Sequence, residues 1–290
     1  MRAVPRVEER WIKVSWAISA LAAVAIIVLA MFRYGPFNPS FHQSLNLAFI
    51  AAITVPMVLD TLNSRWRNAI DRALPRFLEG IAHAQLTGLP LIRAFKEAGE
   101  GVSGPLRSEV RLMMAKVSWG MSLEDALRAF AERVGTPLAR RISTLIIEAN
   151  RSGGLVERIF TPLAQATATF QTMEEERKAQ LKPYVLVVYI SFVLFLVIIY
   201  VLYTSFFTPL QAMPTAAGGL APAMSLSLSW VLLYHMSLVL AIFSGLIAGV
   251  LGEGRVQSGL KHMFVMLILA YVLFGEMVEP LWLLRLLGLA

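Results

Sequence analysis

Residues 14–32, 41–59, 184–207 and 225–251 form four long runs without a single Asp, Glu, Lys or Arg. A helix needs about 20 apolar residues, at about 1.5 Å of rise each, to cross a hydrocarbon core of roughly 30 Å. Lipid offers the backbone no hydrogen-bond partner, so a run of this kind must bond within itself as a helix. The runs therefore restrict the chain to an all-α, polytopic membrane fold. A fifth run, residues 263–275, is short before Glu276, and Glu279 and Pro280 follow. The tail beyond it, residues 281–290, either completes a span or lies at the interface. The expected architecture is about five transmembrane helices and one cytoplasmic helical bundle.

The first run follows Arg2, Arg6, Arg10 and Lys13. A secretory signal also opens on positive charge, but this run is long and no A-x-A cleavage site follows it, so an uncleaved anchor is expected. Tyr34-Gly-Pro-Phe-Asn-Pro39 then supplies a tight turn, and residues 1–59 read as a transmembrane hairpin. Residues 183–290 hold the C-terminal spans.

Orientation follows from the cations. Of 26 Lys and Arg residues, 18 fall within residues 60–182, none within 208–224, and two, Arg255 and Lys261, within 252–262. Short loops rich in Lys and Arg stay in the cytoplasm. The N-terminus, residues 60–182 and residues 252–262 are accordingly expected on the cytoplasmic side of the plasma membrane. The net charge of +7 then belongs beside an anionic bilayer surface and not on nucleic acid.

Residues 60–182 read as a packed set of short helices, because apolar residues recur at helical spacing with charges opposite. Leu74, Phe77, Leu78 and Ile81 make one stripe, and Leu106, Val110, Met113, Met114 and Val117 a second. Leu123, Ala126, Leu127, Phe130 and Val134 make a third, and Leu138, Ile142, Leu145, Ile146 and Ala149 a fourth. Gly88, Gly120 and Gly135 suit helix ends, Ser122 suits an N-cap with Asp125 three residues on, and Thr136-Pro137 suits a cap and first turn. Ser152-Gly153-Gly154 breaks the chain again, and the last helix is expected to feed the third span with a bend at Pro183. A faint echo relates Gly88-Leu-Pro-Leu-Ile-Arg-Ala-Phe95 to Gly120-Met-Ser-Leu-Glu-Asp-Ala-Leu127.

Catalytic chemistry needs convergent acids, bases or ligands. The absence of cysteine excludes disulfides, thiolate metal sites and thiol nucleophiles. No phosphate-binding G-x-x-x-x-G-K-[ST] loop, H-E-x-x-H or G-x-S-x-G occurs, and His42, His83, His235 and His262 are scattered. Neither a cofactor, a metal nor an enzymatic activity is expected. Ala241, Gly245 and Gly249 recur every four residues and mark a candidate helix-packing face, either within the chain or between copies. A transporter or channel with a cytoplasmic regulatory bundle is the alternative reading, because His235 and several serines lie in the fourth run.

Four motifs resemble the type II secretion system F family. They are Leu74-Pro-Arg-Phe-Leu78, Gly120-Met-Ser-Leu-Glu-Asp-Ala-Leu127, Glu148-Ala-Asn-Arg-Ser-Gly-Gly-Leu155, and Gly249-Val-Leu-Gly-Glu-Gly-Arg255 through Gly259-Leu-Lys-His262. The third departs from the family's form, which has Gly before the Glu. The resemblance implies a membrane platform for a type IV pilus, an archaeal flagellum or a secretion machine. Its implied partners are a hexameric secretion ATPase and pilin-like subunits. Many members carry two cytoplasmic bundles and this chain shows one, which implies a homodimer or other homo-oligomer. Candidate ATPase contacts are Arg72, Arg76, Arg93, Arg140, Arg141 and Arg151, and candidate loop contacts are Glu253, Arg255 and Lys261.

Overall fold

The structure, a computed structural model, describes residues 9–35, 38–151, 157–212 and 226–278. The break expected at Ser152-Gly153-Gly154 and the tail from Glu279 onward lie outside the described residues. The helices are α1 (Glu9–Tyr34), α2 (Pro39–Leu86), α3 (Leu91–Gly101), α4 (Pro105–Ser118), α5 (Leu123–Val134), α6 (Pro137–Arg151), α7 (Glu157–Leu202), α8 (Thr208–Ala212), α9 (Leu226–Glu253) and α10 (Gly259–Val278). A π-turn over Tyr203–Phe207 joins α7 to α8, and a 3-10 turn over Val256–Ser258 leads into α10. No strand occurs among the described residues. Among the described residues, five helical segments are long and apolar enough to cross a membrane.

Two compact units result: one is Thr61–Arg177, the other combines the described residues of Glu8–Asp60 and Lys178–Ala290. The expectation of short helices throughout residues 60–182 is corrected at α2, whereas the last bundle helix runs into the third span as expected. α2 runs for 48 residues and α7 for 46, so each carries a span and a bundle helix in one element. The reason is local: residues 60–73 contain no Gly or Pro to stop α2, and α7 passes through Pro183 without ending. Only α3 to α6 are short.

In the unit of Thr61–Arg177, α3, α4, α5 and α6 pack as successive antiparallel neighbours. Close approaches fix the directions: Gly99 lies against Val110, Glu109 meets Arg133, and Glu124 meets Arg151. The core joins these helices to α2 and α7 through Phe77, Phe95 and Phe160. The Phe77 and Phe95 rings meet edge to face at 5.7 Å, and Phe95 and Phe160 at 6.1 Å. Each fully buried ring contributes about 2 kcal/mol, with roughly 0.5–1.5 kcal/mol more from each edge-to-face pair.

The helix ends follow the sequence signals. Ser122 Oγ accepts the Asp125 amide at 3.0 Å and caps α5. Gly135 closes α5 at φ +70°, a left-handed conformation that glycine adopts without a Cβ clash. Thr136 Oγ1 accepts the Ala139 amide of α6 and donates to Asp71 Oδ1 of α2 at 2.7 Å. This one side chain caps the start of α6 and ties it to α2.

The other unit shows the inverted pattern of a membrane protein. On α1, Ser15 and Ser19 are buried, whereas Leu21 and Phe32 are 76% and 88% exposed. Water would punish that arrangement and lipid favours it. α9 and α10 enclose a core of Trp230, Tyr234, Leu238, Met266, Leu267 and Phe274, joined by Ile53 of α2 and Phe192 of α7.

Candidate functional site

Two surfaces hold the charges singled out above. On the bundle, Arg72 and Arg76 sit on α2, Arg93 on α3, and Arg140, Arg141 and Arg151 on α6, all exposed. Arg151 donates from Nε and Nη2 to Glu124 Oε2 at 2.9 and 2.8 Å and lies 3.9 Å from Glu148. The Glu124 bond raises the guanidinium pKa above its ordinary value. Arg72 lies 4.0 Å from Glu175 of α7. Arg76 lines an open hollow of about 470 Å³ between α2 and α3, shared with Glu79, His83 and Glu97. Among the described residues, the guanidinium groups of Arg76, Arg93, Arg140 and Arg141 have no ion pair or hydrogen bond. Four of the six cations therefore remain available to a partner, and Arg72 and Arg151 are occupied with bundle carboxylates.

The bundle also holds an ion pair with a buried carboxylate that the sequence did not signal. Glu109 of α4 is 6% exposed and accepts from Arg133 Nε of α5 at 2.6 Å. The two residues are far apart in sequence, so only the α4–α5 hairpin brings them together. A second cationic group, Lys96, Arg107 and Arg111, lines a groove between α3 and α4. Arg107 and Arg111 are one helical turn apart, which sequence could have flagged; the position of Lys96 opposite them depends on the hairpin.

In the other unit, the connection between α9 and α10 is shorter than the expected loop of residues 252–262. α9 continues to Glu253, Gly254 turns at φ +70°, and α10 begins at Gly259. Lys261 donates to Glu253, and Arg255 lies 3.9 Å from Asp60 of α2. The three candidate contact residues are thus engaged with their own unit. His262 Nδ1 and Tyr189 Oη of α7 share a hydrogen bond at 2.8 Å.

The small-residue face is used within the chain. A Cβ added to Gly245 would lie 2.4 Å from Met263 Cα, and Ala241 is fully buried in the same interface. Further along, Gly249 meets Gly259. Helix backbones approach this closely only where side chains are absent. Near the opposite end of the spans, Asn46 Nδ2 donates to Leu267 O at 3.2 Å and Gln43 Nε2 to Phe274 O at 3.4 Å. The His42 and His235 rings meet edge to face at 4.9 Å, and His235 Nδ1 donates to Val231 O within its own helix. The histidines expected to be scattered include one adjacent pair. Among the described residues, no group of three or more His, Asp or Glu is placed to hold a metal ion.

Residues 77–204 match the model of the family described as type II secretion system (T2SS), protein F. The chain is also similar to an uncharacterized protein of Methanocaldococcus jannaschii, with 28% identity over 270 residues. That alignment covers 91% of this chain and 44% of the relative, so the chain spans less than half of the relative's length. No solved structure matches the chain. The matched segment runs from the bundle part of α2 through α3–α6 and along α7 into its span. Residues 77–204 of this multi-pass helical membrane protein are therefore similar to type II secretion system protein F, the family its motifs resembled.

Proposed function

We propose that the chain is the membrane platform of a type IV filament or type II secretion-like machine. It couples a cytoplasmic, hexameric secretion ATPase to the assembly of pilin-like subunits. The protein F domain over residues 77–204 carries this reading. The continuity of α2 and α7 supports it, since a helix without a break passes displacement along its axis. In this reading Thr61–Arg177 and the N-terminus face the cytoplasm, an orientation that the cation distribution supports, and Arg76, Arg93, Arg140 and Arg141 meet acidic groups of the ATPase. A homo-oligomer provides the second bundle that longer relatives of the family hold in one chain.

Reconstitution tests the coupling. The full chain in nanodiscs is expected to bind the secretion ATPase of the same organism at low salt and to raise its ATP hydrolysis. Replacing Arg93, Arg140 and Arg141 with Gln is expected to weaken binding by about tenfold. A folded chain that neither binds the ATPase nor alters its turnover defeats the proposal.

A further inference from the structure

We infer that the groove between α3 and α4 is a docking site for an acidic segment of a protein partner. The groove holds about 280 Å³ and is lined by Lys96, Glu100, Arg107, Arg111 and Met114 over a floor that includes Val110. Lys96, Arg107 and Arg111 are exposed, and among the described residues their charged groups have no ion pair or hydrogen bond. Three cations therefore face one carboxylate. Elsewhere on the bundle, cations have found acids: Arg72 lies beside Glu175, Arg133 binds Glu109 and Arg151 binds Glu124. Arg76, Arg93, Arg140 and Arg141 also lack an acid among the described residues, but Lys96, Arg107 and Arg111 gather three such cations around one groove, which makes that groove complementary to negative charge from outside.

The spacing specifies the kind of anion. Arg107 and Arg111 lie one turn apart on α4, about 6 Å along its axis. That distance matches carboxylates at i and i+4 of a partner helix, whereas a single phosphate would need the cations to converge on one point. The floor is apolar, because Gly99 has no side chain and packs so tightly on Val110 that an added Cβ would lie 2.4 Å from Val110 Cγ1. Met114, half-buried beside Val110, offers a seat for one apolar side chain. The occupant is thus an acidic amphipathic helix, with carboxylates toward Lys96, Arg107 and Arg111 and one aliphatic residue on Met114. The inference does not rest on the platform reading, since it follows from the groove and its test involves no ATPase.

The test uses the full chain in phosphatidylcholine nanodiscs and a fluorescein-labelled synthetic helix with Glu at i and i+4 and a central Leu. Saturable binding is expected in fluorescence anisotropy at about 50 mM salt and is expected to fade as screening shortens at about 500 mM. The combined variant Lys96→Gln, Arg107→Gln, Arg111→Gln is expected to weaken binding about tenfold, and Arg65→Gln, Arg128→Gln, Lys182→Gln, an equal loss of charge, less than about twofold. Met114→Gln is expected to weaken it about threefold, and all three variants should keep the native helical signal and thermal transition. Equal weakening by both triple variants would reduce the site to net charge and overturn the inference. So would equal binding of the same peptide with Gln for Glu. Loss of binding to phosphatidylglycerol vesicles in the groove variant, with peptide binding intact, would reassign the groove to a lipid headgroup and overturn it as well.

Discussion

Gly249 of α9 and Gly259 of α10 touch backbone to backbone: a Cβ on Gly249 would stand 2.1 Å from the Gly259 amide nitrogen. The contact is reciprocal, since a Cβ on Gly259 would lie 2.7 Å from Leu246 Cα. Neither obstacle is a flexible side-chain end that could swing away. Gly249→Ala is therefore expected to separate the helices and cost about 3 kcal/mol. Gly252, one turn on, would place its Cβ at an ordinary 3.5 Å from Val185. Gly252→Ala should be neutral or stabilise by about 0.5 kcal/mol, as an Ala suits a helix better. Thermal unfolding in detergent separates the two; equal effects would refute the close approach.

Asn46 is fully buried and donates to the Leu267 carbonyl across the α2–α10 interface. Interhelical hydrogen bonds inside a bilayer contribute about 0.6–2 kcal/mol. Asn46→Leu is expected to destabilise within that range, and Gln43→Leu, whose bond is longer, by less. Unfolding in mixed micelles of increasing denaturing detergent gives the order; an unchanged midpoint for Asn46→Leu would contradict the assignment.

Glu109 and Arg133 form an asymmetric pair, with side chains 7% and 40% exposed. When Glu109 is removed, water can still reach Arg133. When Arg133 is removed, a buried carboxylate loses its counter-charge. Arg133→Ala is thus expected to cost about 3 kcal/mol and Glu109→Gln about 1 kcal/mol. Paired denaturation midpoints on the full chain check the ranking, and the reverse order would show that Glu109 is not held by Arg133.

Ser122 caps α5 through the Asp125 amide. Ser122→Ala is expected to cost about 1 kcal/mol and Ser122→Asn almost nothing. Arg151→Ala, which breaks an exposed pair, should have only a small effect, one that is lost at high salt. Hydrogen exchange at the first turn of α5 reads the cap; equal protection in Ser122→Ala and the parent would dismiss it.

The helix punctuation of the bundle was legible in particular residues. Ser122, Gly135 and Thr136 act where local chemistry places them, because capping depends on neighbours within four residues. Gly88 and Gly120, the two halves of the faint internal echo, both close helices with positive φ, at +83° and +96°. The run of α7 into the third span was legible too, but the uninterrupted length of α2 was harder to see. The α2 span ends where charges begin, yet a change of solvent is no helix stop, and no glycine or proline supplies one at residues 60–73. The site was legible only in part. The exposed arginines could be named, but which of them already hold a carboxylate depended on Glu124 and Glu175 arriving from other elements.

The sequence alone determined that this is an all-helical membrane protein with a charged block between its second and third spans. Charge-free runs of sufficient length and the clustering of cations are local properties, and a bilayer acts on them directly. Only the tertiary structure decided how the charges are shared out. Glu109 is quenched by Arg133 and Arg151 by Glu124, while Lys96, Arg107 and Arg111 face one groove with no ion pair among the described residues. It also decided that the Gly245 and Gly249 face closes on α10 of the same chain. Pairing and close approach depend on which helices become neighbours. That is set by the packing of whole faces, and no run of consecutive residues contains it.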